Sequence, residues 1–95
     1  MRPGFAWDNR KAAANWRKHG VTFEEASTTF EDPLAITFPD PDHSASEDRC
    51  IILGLSSFGR TLLVVHAERG ADIRIISARR ATTRERKAYE EGKPA

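Results

Sequence analysis

Apolar residues recur at helical spacing in the first third of the chain. Asp8 is a suitable N-cap and Gly20 a suitable left-handed stop, which predicts a helix through about Lys18. Thr22 and Glu25 have the spacing of a capping box and predict a second helix. The apolar stripe of that helix consists of Phe23, Ala26 and Phe30. The chain is therefore expected to open with a pair of helices.

From residue 34 onward the apolar residues form short runs that are typical of strands. The predicted strands are residues 34–38, 50–55, 61–67 and 73–78. Turn-forming residues separate the last three strands, at 57–59 and at 68–72. Thr82 and Glu85 repeat the capping-box spacing and predict a final helix through about Glu91. Because the connections are short, we expect an α+β fold with a four-stranded antiparallel meander.

The turn lengths also predict which side chains share a face of the sheet. If residues 57–59 form the first turn, Ser56 faces Arg60, and if residues 68–72 form the second, Ala67 faces Ile73. One face then carries Ile51, Leu53, Leu55, Leu63, Val65, Ile73 and Ile75, and we expect the helices to cover it. The opposite face carries Arg60 opposite Arg80 and His66 opposite Arg74. This second face is expected to stay open and to bind a phosphate backbone.

Length and composition limit the class of protein. The chain has 95 residues, 31% of them charged, and its longest apolar run is far shorter than the roughly 18–20 residues of a membrane span. We expect one domain over residues 1–95, with a core of about 5–91 and a loose tail at 92–95. The N-terminus lacks the apolar segment of a secretory signal, so a cytoplasmic location is expected. Cys50 is the single cysteine, and we interpret it as a small buried residue rather than a catalytic thiol.

The net charge of +1 hides an uneven distribution of charge. Residues 1–20 contain five basic residues and one acid, and residues 49–95 contain ten basic residues and five acids. Residues 21–48 contain eight acids and no Lys or Arg. The pattern favours one surface for a polyanion and another for a basic partner, although the blocks could instead pair with one another in the fold.

A family pattern runs through almost the whole chain. Its elements are Phe5-Ala6-Trp7-Asp8, Lys11, Asn15, Lys18-His19-Gly20-Val21, Phe23-Glu24-Glu25-Ala26, Asp32-Pro33, His43-Ser44, Glu47, Arg49, Gly54, Ser56, Arg60, Glu68-Arg69, Ile75-Ile76-Ser77-Ala78-Arg79, Glu85-Arg86 and Tyr89-Glu90. Over residues 5–91 the chain resembles the BrnT family of bacterial toxins. The resemblance implies a RelE-like fold and a ribonuclease toxin of a type II toxin–antitoxin system. It also implies a BrnA-type ribbon-helix-helix antitoxin as partner, which would bring the complex to operator DNA.

Within that resemblance, the candidate catalytic residues are His43, Glu47, Arg49 and Arg79. His43 and Glu47 could supply the acid and base for attack of a ribose 2′-hydroxyl on the adjacent phosphate, while the two arginines neutralise phosphate charge. Structural roles remain open: Glu47 could pair with Arg49, and Arg79 with Glu85 or Glu47. The predicted register places Arg49 and Arg79 on the helix-covered face, in conflict with an RNA site on the open face.

The expected RNA contacts lie on the first helix and on the sheet. They are Lys11, Lys18, Arg60, His66, Arg74 and Arg80. No metal site and no cofactor are expected, because the acidic residues near His43 lack a convincing ligand spacing. The alternative function is a catalytically inactive binding module that acts through its antitoxin. A DNA-binding protein is disfavoured because no helix has the side chains of a recognition helix.

Overall fold

The computed structural model describes residues 4–41 and 48–93 of the chain. The strands are β1 (Gly4–Ala6), β2 (Ile36–Pro39), β3 (Arg49–Leu55), β4 (Thr61–Arg69) and β5 (Asp72–Arg80). The helices are α1 (Asn9–His19), α2 (Phe23–Thr28) and α3 (Thr83–Glu91), and a 3-10 turn (Thr29–Glu31) continues α2. The fold is α+β, as predicted. No helix in these two described ranges is long and apolar enough to cross a membrane.

The five strands form one mixed sheet in the order β1-β5-β4-β3-β2. Strands β2 to β5 form the predicted antiparallel meander. The chain does not open with the predicted helix pair, because β1 precedes the helices and pairs with β5 in parallel. A three-residue strand has too few alternating positions to be recognised from its sequence.

Each helix begins where its cap predicts. The side chain of Asp8 accepts hydrogen bonds from the amides of Arg10 and Lys11, and Gly20 ends α1 with φ of 66°. At α3 both halves of the predicted capping box form between Thr82 and Glu85. At α2 only half forms, because the carboxylate of Glu25 is bound elsewhere, to Arg60 and Ser56.

The first predicted turn is confirmed and the second is wrong. The amide of Ser56 donates to the carbonyl of Arg60 at 2.8 Å, as expected for a turn at residues 57–59. Ala67, however, pairs with Arg74 and not with Ile73. The turn between β4 and β5 is a short one that follows the pairing of residue 69 with Asp72, and Gly70 has the left-handed φ of 57° that such a turn favours.

Strand β5 also contains a bulge. Ser77 pairs with Val65 and Ile75 pairs with His66, so Ile76 is left out of the ladder. Because one residue is skipped, the alternation of β5 changes phase at this point. Ile75 therefore lies on the same face of the sheet as Ala78.

Helices α1 and α2 cover the face that carries Ile52, Leu62, Val64, Ile75 and Ala78, which pack with Val21, Phe23 and Ala26. The predicted helix-covered layer was therefore wrong for β3 and β4. Ile51, Leu53, Leu55, Leu63 and Val65 lie on the opposite face by the observed pairing. Both faces of these strands are aliphatic, so alternation does not decide which one the helices cover. Ile73 and Ile75 face the helices as predicted.

Helix α3 lies against the second face of the sheet. It contacts β3, and Leu53 and Leu63 on that face are buried. The hydroxyl of Tyr89 donates to the carboxylate of Asp32, whose oxygens also accept the amides of Leu34 and Leu55 at 2.9 Å. Burial and the bond to Asp32 raise the pKa of Tyr89 to about 12. The helix is thus fastened at one end of this face, and the rest stays accessible.

Asn15 joins α1 to the edge of β5. Its amide group donates to the carbonyls of Val21 and Ala78 at 2.9 and 2.8 Å, and its oxygen accepts the amide of Ala78 at 3.0 Å. The side chain is buried. It therefore takes the place of a neighbouring strand at a point beyond the reach of β1.

Candidate functional site

A cleft of about 560 Å³ lies on the second face of the sheet, beside α3. Its floor is aliphatic and includes Ile51, Leu63 and Val65. The charged residues that line it are Asp40, Arg49, Arg79, Arg84 and Glu85. Two of the predicted catalytic residues, Arg49 and Arg79, therefore share one cavity. The conflict left by the sequence analysis disappears, because these arginines lie on the face that α1 and α2 do not cover.

Arg79 is held in place by the start of α3. Its Nη1 and Nη2 atoms donate to the two carboxylate oxygens of Glu85 at 2.8 and 2.9 Å, and Nη1 also donates to the carbonyl of Arg80 at 3.2 Å. Glu85 is itself fixed because it accepts the amide of Thr82 at 2.8 Å. The bond from Arg79 lowers the pKa of Glu85, and the same bond raises the pKa of Arg79. The ion pair that the sequence left open as an alternative for Arg79 is present.

This pairing does not use all the donors of Arg79. A guanidinium group has five N–H donors in a planar fork. Three are engaged by Glu85 and Arg80, so the Nε–H and one Nη2–H have no partner among the described residues. A side chain fixed in this way can still offer two parallel donors, the geometry that suits a phosphate.

Arg49 lies at the other end of the cleft. It pairs with Ala67 in β4, and Arg79 pairs with Leu63, four residues along the same strand. Strand spacing places the two arginine Cα atoms roughly 16 Å apart. The two arginines therefore line the cleft from strand positions at its two ends.

The other two predicted catalytic residues, His43 and Glu47, lie outside the described residues. Pro41 and Arg49, on either side of that segment, both line the cleft. Among the residues at 4–41 and 48–93, no group of three or more His, Cys, Asp or Glu side chains is placed to hold a metal ion.

Three residues that were predicted to face RNA lie on the helix-covered side of the sheet. His66 is buried there, with its ring 4.9 Å from that of Phe30, and burial lowers its pKa. Arg60 donates through Nε at 2.9 Å and through Nη2 to the carboxylate of Glu25, and also to the carbonyl of Gly20. Arg80 pairs with Leu62, not with Arg60 as predicted. These placements correct the expected open basic face, since the helices occupy the space in front of it.

Comparison with known families identifies the chain. The family model described as the ribonuclease toxin BrnT of type II toxin–antitoxin systems matches residues 7–85. The chain belongs to the BrnT family. The resemblance that the sequence motifs predicted is thereby confirmed, and membership of a type II system implies an antitoxin partner.

The fold of this BrnT family member is also similar to a solved one. The 1.1 Å crystal structure of the Brucella abortus ribonuclease toxin BrnT matches with a TM-score of 0.68 and 24% sequence identity, over 85% of this chain and 99% of that chain. The search of curated protein sequences found no significant match to the chain.

A second, smaller cleft of this BrnT family member lies beside α1. It measures about 220 Å³ and is lined by Lys11, Lys18 and His19, together with Ile76 and Ser77. Ile76 and Ser77 line the first cleft as well. The bulge in β5 is therefore the point where the two clefts adjoin. The two predicted lysines thus lie next to the first cleft, which we call the arginine cleft because Arg49, Arg79 and Arg84 line it.

Arg84 also lines the arginine cleft, although it was not among the predicted site residues. The signal was present, because the Thr82 capping box fixes the start of α3 directly after β5. A residue in the first turn of that helix has to lie near the strand end that carries Arg79.

Proposed function

We propose that this chain is an endoribonuclease whose RNA substrate binds in the cleft that contains Arg49, Arg79 and Arg84. The observation that carries the proposal is the geometry of the Arg79 guanidinium. Its Nη1 and Nη2 atoms are bound to the carboxylate of Glu85, and the Nε–H and one Nη2–H are left as two parallel donors for a phosphate. Arginine groups fixed in this manner stabilise the charge that develops on a phosphate in the transition state.

The proposed reaction needs no metal ion. A base removes the proton of the ribose 2′-hydroxyl, the 2′-oxygen bonds to the adjacent phosphorus, and the 5′-oxygen leaves with a proton from an acid. The products are a 2′,3′-cyclic phosphate and a 5′-hydroxyl. In this proposal His43 and Glu47 supply the acid and base, and Arg49 and Arg79 neutralise the phosphate.

We propose that the RNA strand continues over the bulge of β5 toward α1. Lys11 and Lys18 line the cleft that adjoins the arginine cleft at Ile76 and Ser77. Arg74 lies on the same face of the sheet as Arg79 and is close enough to lower the pKa of Asp8, although the backbone bonds to that carboxylate lower it more. These three residues are the proposed backbone contacts, and the partner that neutralises the toxin in the cytoplasm is proposed to be a BrnA-type ribbon-helix-helix antitoxin.

The direct test is cleavage by the purified chain in the presence of EDTA. We expect cut RNA with 2′,3′-cyclic phosphate ends, with and without ribosomes as separate arms. RNA that stays intact in both arms would contradict the proposal and favour the inactive binding module. Cleavage that appears only after Mg²⁺ is restored would contradict the metal-free reaction alone.

A further inference from the structure

Three large apolar side chains are exposed at or beside the β3–β4 hairpin. Leu34, Leu55 and Phe58 are 73%, 43% and 73% exposed. Leu34 and Leu55 share a hydrogen-bond acceptor, and Phe58 follows Leu55 by three residues in the hairpin. We call these three residues the apolar corner. In the part of the chain that the structure describes, the other large hydrophobic residue with high exposure is Trp16, on α1. Exposed apolar residues that cluster in this way are typical of protein-binding surfaces.

Polar contacts fix the backbone of the apolar corner. One carboxylate, that of Asp32, accepts the amides of both Leu34 and Leu55 at 2.9 Å, so these residues are neighbours in space. The hairpin that carries Phe58 is tied to α2, because the amide of Ser57 donates to the hydroxyl of Thr28 at 2.9 Å. A surface that is already ordered loses little entropy when a partner binds.

A shallow cleft of about 310 Å³ lies at the same corner. Its lining includes Glu31, Asp32 and Leu55. Glu24 and Glu31 are exposed and are seven residues apart, so they share the face of α2 and its 3-10 continuation that also carries Thr28. Residues 21–48 contain no Lys or Arg. The apolar corner therefore has an acidic border, which repels RNA and attracts basic groups.

We propose that the apolar corner and its acidic border form the docking surface for the antitoxin. The segment that docks would be amphipathic, with apolar side chains against Leu34, Leu55 and Phe58 and with Lys or Arg against Glu24 and Glu31. This inference rests on the proposed function only for the existence of the antitoxin. The cleft at the apolar corner shares no lining residue with the arginine cleft, so docking and RNA cleavage can be measured separately.

The experiment uses the full chain and the antitoxin encoded beside it. The double variant Leu34→Ser, Phe58→Ser removes the apolar contacts, and Trp16→Ser is the matched control, since Trp16 is also exposed (56%) but lies on α1. We expect the double variant to bind the antitoxin at least about tenfold more weakly by calorimetry, and the control to bind within twofold of the native chain. RNA cleavage by each free variant should be unchanged, and similar melting temperatures show that all are folded.

The contribution of the acidic border to antitoxin binding is tested with the double variant Glu24→Gln, Glu31→Gln, and Glu90→Gln on α3 is the control. We expect the double variant to bind the antitoxin more weakly, with an affinity that depends less on salt concentration. Equal antitoxin affinity of the Leu34, Phe58 variant and the native chain would overturn the proposal. It would also be overturned if sedimentation showed that the corner instead holds together two copies of the free toxin, or if the variant lost RNA cleavage and kept antitoxin binding.

Discussion

Glu25 and Arg60 form an ion pair at the junction of α2 and the β3–β4 hairpin, with the Glu25 side chain only 1% exposed. Ser56 donates a third hydrogen bond to the same carboxylate at 2.8 Å. Arg60 also donates to the carbonyl of Gly20 at 3.1 Å and so connects the end of α1 to the hairpin. The pair is a structural element rather than part of an RNA surface.

Replacing Arg60 with alanine should therefore destabilise the fold rather than weaken RNA binding. A buried carboxylate that loses its cation costs about 3 kcal/mol or more. We expect the free energy of unfolding in urea to fall by that amount. Arg80→Ala is the control, since Arg80 is exposed, and it should change stability by less than about 0.5 kcal/mol. A stable Arg60→Ala variant with impaired cleavage would restore the role in RNA binding that the sequence suggested.

Arg79→Lys should separate charge from geometry in the arginine cleft. Lysine keeps the positive charge and loses the planar fork that contacts Glu85 and leaves donors for a phosphate. We expect the single-turnover cleavage rate to fall by about 100-fold. Arg86→Lys, an exposed position of α3, should cleave at the native rate. If Arg79→Lys also cleaved at the native rate, the fork would have no part in the reaction.

Asn15→Leu tests the connection between α1 and β5. The change keeps a similar volume and leaves the amide and carbonyl of Ala78 and the carbonyl of Val21 without their partner. Since each unsatisfied buried group costs about 1–3 kcal/mol, we expect a loss of at least about 2 kcal/mol in urea unfolding. Asn9→Leu, at the exposed start of α1, should leave stability nearly unchanged. Equal stability of the two variants would show that the hydrogen bonds of Asn15 contribute nothing to the free energy of unfolding.

His66 should make stability depend on pH. Burial lowers its pKa below the usual value of 6.5, so in acid the unfolded chain binds a proton before the folded chain does. The free energy of unfolding should therefore decrease as the pH falls below about 6.5, by up to about 1.4 kcal/mol per pH unit. His66→Gln should remove that slope. Parallel slopes between pH 7 and 5 for His66→Gln and the native chain would contradict this account.

The helices were predictable because their ends depend on local contacts. Asp8, Gly20, Thr22 and Thr82 act within two to four residues of their own position, and the structure shows each of them in the expected role. The family could be recognised for a related reason, since ordered motifs are visible in the sequence without any knowledge of the fold. The placement of Arg60, by contrast, depends on Glu25, 35 residues away.

The sequence could not predict which side chains lie on which face of the sheet, for one reason in β3 and β4 and another in β5. Strands β3 and β4 are aliphatic on both faces, so nothing in their sequence indicates which one the helices cover. In β5 the bulge reverses the order in which side chains alternate between the two faces of the sheet. The prediction assumed an unbroken alternation along the whole strand. The catalytic candidates Arg49 and Arg79 were selected by motif and by their position at strand ends. Their shared cleft became visible only from the strand pairing.

The bulge at Ile76 is a shared requirement of core and cleft. On one side of it, Ile73 and Ile75 must point toward the helices, and on the other side Arg79 must point away from them. Residues 75 and 79 are four apart, so a regular strand of this length would turn either the isoleucines outward or the arginine inward. A change of pairing that removed the bulge and kept every residue would thus force a choice between a folded molecule and an assembled cleft, even though no side chain of either had been replaced.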